Sequence, residues 1–76
     1  RLEPWVRVVA EAPEAMHGAL VQSLTSRRGR VLDAEPGRVE AEVPLARMFG
    51  YATALRSLTS GEGTFGMEFD RFAEVA

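Results

Sequence analysis

Residues 38–58 read RVEAEVPLARMFGYATALRSL, and within them the spacing of apolar side chains changes once. Up to Val43 the period is two. Val39, Ala41 and Val43 alternate with Arg38, Glu40 and Glu42, as in a strand with one buried face. Beyond Pro44, Leu45, Met48, Phe49, Ala52 and Leu55 fall on one helical stripe, which predicts a helix over Pro44–Ser60 stopped by Gly61. Gly50 lies inside that stripe and costs about 1 kcal/mol against Ala. Its presence predicts a close packing contact there.

Working outward, Pro36-Gly37 marks a turn, and the run Arg30–Glu35 before it pairs with Arg38–Val43 as a hairpin. Upstream, Met16, Leu20 and Leu24 recur every fourth residue with Val21 beside them, giving a helix over Pro13–Arg28. Pro13 suits the first helical position, Glu14 complements the positive helix end, and Gly29 supplies the stop. Ala12 offers no oxygen to cap this helix, forgoing about 1 kcal/mol. Trp5–Glu11 alternates, with Val6, Val8 and Ala10 on one side. Thr64–Phe72 does the same with Phe65, Met67 and Phe69 facing in. The expected core is therefore drawn from these inward positions and the two helical stripes.

The order β-α-β-β-α-β, with one apolar face per strand and two amphipathic helices, favours an α+β, ferredoxin-like arrangement. An antiparallel four-stranded sheet would carry both helices on one face. At 76 residues this is a single domain, 1–76. It begins with Arg1 and shows no signal peptide, as expected of a piece of a longer cytoplasmic protein. No apolar run approaches the roughly 20 residues needed to span a bilayer.

Composition excludes several chemistries. Without cysteine there are no disulfides, thiolate metal sites or cysteine nucleophiles. No Gly-x-x-x-x-Gly-Lys-Ser/Thr loop is present to cradle a nucleotide phosphate. His17 is the single histidine and has no second ligand or base in view, so a half-exposed structural role suits it. Ser57 and Ser60 lack a neighbouring His. Neither catalytic nor metal residues are expected.

The net charge is −2, so any nucleic-acid contact must be local. The outward strand positions carry Glu11, Glu40, Glu42, Glu68 and Asp70, which predicts an acidic open sheet face that repels phosphate. All the basic residues are Arg, whose planar fork suits phosphate. Arg27, Arg28 and Arg30 follow the first helix, and the topology brings Arg47 to the same pole. These four are the candidates for contact with RNA; the alternative for those near the helix end is simple dipole complementation. Phe49 could stack on a base, but on a helical stripe it reads as core. Tyr51 could be core or a stacking platform for a base. Trp5 alternates away from Val6 and Val8, either covering the open face or meeting a neighbouring domain.

The stretch Val43-Pro44-Leu45-Ala46-Arg47-Met48-Phe49-Gly50-Tyr51-Ala52-Thr53-Ala54-Leu55-Arg56-Ser57-Leu58-Thr59 resembles the second helix of the last domain of bacterial elongation factor G. Arg27-Arg28-Gly29 and Glu3-Pro4 resemble that domain as well, so the likeness runs along essentially the whole chain. It implies the C-terminal, non-catalytic module of an elongation factor G-like translational GTPase acting in translocation. It also implies that GTP and Mg belong to an N-terminal domain of the parent and that this module has no cofactor. The implied partners are the large ribosomal subunit, RNA and protein near the stalk base, and other domains of the same factor, with no membrane. Two departures stand out. Ser60-Gly61-Glu62-Gly63 replaces a Gln-Gly-Arg-Gly pattern, and Ala12 replaces a hydroxyl residue. The first leaves a paralogue or a ribosome-protection relative open. From another class, the alternative is a stand-alone small-molecule-binding regulatory domain of the same fold.

Overall fold

The computed structural model describes residues 1–75. The alternating runs form strands β1 (Glu3–Glu11), β2 (Arg30–Glu35), β3 (Arg38–Pro44) and β4 (Thr64–Ala73). They make one sheet in the order β2-β3-β1-β4, and every neighbouring pair is antiparallel. Helices α1 (His17–Thr25) and α2 (Tyr51–Leu58) complete the α+β ferredoxin-like arrangement expected from the pattern. Pro36 and Gly37 turn the hairpin, with Gly37 at φ 78°, where a second turn position of positive φ favours glycine.

Packing follows the period-two pattern in the middle of the sheet. Val6, Val8 and Ala10 of β1 and Val39, Ala41 and Val43 of β3 lie against Leu20, Leu24, Met48, Tyr51 and Leu55. Ala10 and Ala41 are fully buried because small side chains on the two central strands sit directly beneath the helices.

Both helices are shorter than their stripes. The first begins as a 3-10 turn, Glu14–Met16, before α1, and neither segment has a side-chain cap at its start. Met16 is consequently only half-buried. The second departs further. Leu45–Arg47 forms a separate 3-10 turn, and Gly50 stands at φ 79°, a left-handed conformation that no right-handed helix can pass through. Here glycine supplies backbone freedom. The close contact expected at Gly50 is absent, since a Cβ built there meets nothing within 4 Å.

The break also rotates the stripe. Tyr51 becomes fully buried, while Phe49 is 80% exposed and Ala52 also faces out, against the expectation that both are core. Leu45 is half-buried and packs against the core from its own turn.

Strand β4 is a sheet edge. Phe65 meets Tyr51 edge-to-face at 4.8 Å, but Met67 and Phe69 further along are exposed rather than buried. The short α2 makes few contacts with β4 and leaves its second half bare. A bulge at Asp70, where Trp5 faces Arg71 and Val6 faces Phe69, turns Phe72 to the same side. Phe69 and Phe72 then lie 5.2 Å apart, centroid to centroid.

Candidate nucleic-acid interface

Register places the pole. Arg30 pairs with Glu42, Trp5 with Pro44 and Glu3 with Ala73, so the end of α1, the entry to α2 and both chain ends gather at one end of the sheet. The terminal amine of Arg1 meets Glu74 at 3.4 Å there.

The end of α1 is a two-bond cap. The Arg28 amide donates to the Thr25 carbonyl at 3.2 Å, and the Gly29 amide reaches back to the Leu24 carbonyl at 3.0 Å. Arg28 takes the left-handed position at φ 63°, and Gly29 follows it. This arrangement is the Schellman type, in which glycine usually holds the position Arg28 occupies. Gly29 is required for another reason: a Cβ would lie 2.6 Å from the Leu24 oxygen and 3.0 Å from Val43 Cγ2. A non-glycine residue kept in a strained conformation is a reason to look for a role for its side chain.

Arg27 spans the pole. Its Nη1 donates to the carbonyl of Arg47 at 2.8 Å and to that of Phe49 at 3.4 Å. Its guanidinium carbon lies 5.1 Å from the centroid of the Tyr51 ring. Behind that ring, the Tyr51 and Ser23 hydroxyls are 2.8 Å apart, and Ser23 donates to the Leu20 carbonyl at 2.7 Å. Burial pushes the Tyr51 phenol above its ordinary pKa, opposed by the Ser23 hydrogen bond and the Arg27 charge. Arg27 thus fastens the loop before α2 to the end of α1, bringing the backbone at Arg47 beside that at Arg27 and Arg28.

Arg30 sits at the same end of the sheet but on its open face. Its Nη2 pairs with Glu42 at 2.6 Å on the open sheet face. Arg71 meets the same carboxylate at 2.9 Å and also pairs with Asp70. Arg7 reaches Glu40 at 3.2 Å and Asp70 at 3.6 Å. The open face is therefore not the uniformly acidic surface read from Glu11, Glu40, Glu42, Glu68 and Asp70. Cross-strand arginines pair with most of those carboxylates, because like positions on neighbouring antiparallel strands come within side-chain reach. The Arg71 hydrogen bond holds the Glu42 carboxyl below the usual carboxylate range, aided by the charges of Arg71 and Arg30 and opposed by burial. Trp5 covers part of this face, with Arg71 stacked 5.5 Å from its ring centroid and its indole N–H donating to the Ala73 carbonyl at 3.3 Å.

His17 has a structural partner: its Nδ1 accepts the Gly37 amide at 3.4 Å, linking the start of α1 to the hairpin turn. Among the described residues no cluster of His, Asp and Glu could hold a metal. One shallow depression of about 260 Å³ lies over Gly66 beside Arg7 and Glu68. Another of about 330 Å³ runs between α1 and Leu58. Neither is lined by Arg27, Arg28 or Arg47.

Two residues take positions that the sequence pattern does not predict, Phe49 and Arg30. Phe49 was hidden by the assumption of a continuous helix. The position of Arg30 depends on its cross-strand register with Glu42, which no local pattern reveals.

Over residues 1–76 the sequence matches the family described as Elongation factor G C-terminus. A solved crystal structure of a protein from Thermus thermophilus is similar over 97% of this chain, at 42% identity and a TM-score of 0.86. The chain spans 12% of that protein's length.

Proposed function

The chain belongs to the elongation factor G C-terminal family, and from that premise we propose that it docks a longer translational GTPase on the large ribosomal subunit during translocation. The observation that carries this reading is the division of the arginines. Arg7, Arg30, Arg38 and Arg71 pair with carboxylates on the open face. Arg27 instead binds the backbone carbonyls of Arg47 and Phe49, on the helix side of the sheet end where α1 stops. Arginines grouped on a fixed backbone suit phosphates, whose contacts position a protein without reading sequence.

GTP hydrolysis and its Mg belong, in this reading, to another domain of the parent, and this module does no chemistry. The bare strip of Met67, Phe69 and Phe72 suits packing against other domains of the same factor. The factor works in the cytoplasm. A stand-alone metabolite-binding role has no support from the family match or from the shallow depressions.

The test replaces Arg28 by Gly, which keeps the left-handed backbone, and Arg47 by Ala, in the full-length factor. Affinity for ribosomes is measured across a salt series. Each lost phosphate contact lowers affinity and flattens the log–log salt slope by about 0.7–0.9. Unchanged affinity and slope in a folded double variant would assign these arginines to helix termination and solubility.

A further inference from the structure

We propose that Phe49 is a stacking platform for an unpaired RNA base, an assignment that rests on the ribosome-docking reading above. Phe49 is the most exposed large apolar residue among the described residues, at 80%. Its exposure is built in. Met48 on one side and Tyr51 beyond Gly50 are both buried, so the backbone is anchored on either flank and the intervening side chain must point outward.

The loop is also fixed internally. The Met48 amide donates to the Leu45 carbonyl at 3.0 Å and the Tyr51 amide to the Met48 carbonyl at 3.1 Å. Arg27 holds the Phe49 carbonyl itself. A ring presented on so constrained a backbone loses little freedom when it binds.

The chemistry around the ring selects the occupant. Arg27 and Arg47 belong to the same loop contacts, and Arg28 follows Arg27. An apolar pocket on a protein partner closing over the ring would also have to cover the Arg27 guanidinium, whose Nη1 lies 3.4 Å from the Phe49 carbonyl. A nucleotide satisfies both parts at once, phosphate to arginine and base to ring. Base–aromatic stacking of this kind is sequence-tolerant, and in RNA it uses bases splayed from loops and bulges. The strip at Met67, Phe69 and Phe72 differs, being a row of apolar groups along an edge strand beside Glu68 and Asp70.

The experiment uses the full-length factor carrying F49A, F49L or F49W, with R47A as a control, and measures binding to intact ribosomes across a salt series. Circular dichroism checks the fold. F49A and F49L are expected to weaken binding about tenfold, and F49W to stay within about threefold of the parent, because stacking follows ring area. The salt slope should be unchanged in all three, since a phenyl ring releases no counterions. Binding by F49L equal to the parent would overturn the proposal in favour of an apolar protein pocket. Parent-like binding by F49A would overturn it outright. If R47A flattens the slope while F49A does nothing, stacking fails and ribosome docking stands. If neither variant changes binding, the docking reading falls with it.

Discussion

Phe49 and Tyr51 are two residues apart and similar in size, yet one is 80% exposed and the other fully buried. Hydrophobicity alone would rank them the other way, because tyrosine carries a hydroxyl that must be satisfied. The structure satisfies it through Ser23 and covers the ring with Phe65 and Arg27. Phe49 has no such enclosure. The single left-handed residue between them, Gly50, changes which direction each side chain takes. Backbone conformation therefore outranks side-chain polarity in deciding burial at this point.

The largest expected effect comes from removing the buried member. Tyr51→Ala should cost about 4 kcal/mol through the cavity it leaves and the lost ring contacts. In so small a domain that is enough to shift most molecules toward the unfolded state, which a denaturant titration would register. A loss under about 1 kcal/mol would mean that the helices close over the gap and that Tyr51 is no keystone.

Glu42 sharpens the contrast from the opposite direction, as a charged residue 5% exposed beside a sheet on which phenylalanines are bare. Its burial depends on Arg71 and Arg30. Glu42→Ala should cost about 2 kcal/mol, within the range for hydrogen bonds to charged groups. The pH dependence has a definite sign. The folded carboxyl has a lowered pKa, so its contribution is present above the unfolded value and is lost as pH falls through the folded one. Melting temperatures from neutral pH into acid should fall less steeply for Glu42→Gln than for the parent. Identical slopes would show that the two arginines give Glu42 no net preference for its charged form.

Gly50→Ala tests the hinge of the comparison. Space is not limiting, so the expected cost is that of a left-handed non-glycine residue, about 1 kcal/mol. A loss of several kcal/mol would mean that the substitution relocates Tyr51 or Phe49 as well, which the near-ultraviolet signal of Tyr51 would reveal. Smallest of all, Phe49→Ala should leave stability within about 0.5 kcal/mol, as for an exposed residue with no core contact. A larger loss would mean that Phe49 packs on its own domain.

Much of the fold was legible because it rests on local periodicity. Val39, Ala41 and Val43 announced a strand buried on one side, and Leu20 and Leu24 a helix facing it; all five are fully buried. Those signals survive because alternating or helical spacing directs side chains regardless of what the rest of the chain does. Gly50 was visible as an anomaly but could be read two ways, as a close contact or as positive φ. Nothing in the neighbouring residues decides between them.

By itself, then, the sequence determined the order of elements, the buried faces of the central strands, the absence of thiol and P-loop chemistry, and a family likeness carried by residues 43–59. The tertiary structure alone decided the fates of Phe49, Met67, Phe69 and Arg30. Phe49 turns outward because the backbone reverses handedness next to it. Met67 and Phe69 are bare because β4 is an edge that a short α2 does not roof. Arg30 turns to the open sheet face because antiparallel pairing sets it opposite Glu42. Each outcome depends on which residues distant in the chain become neighbours, and that is settled only when the whole sheet and its helices are assembled.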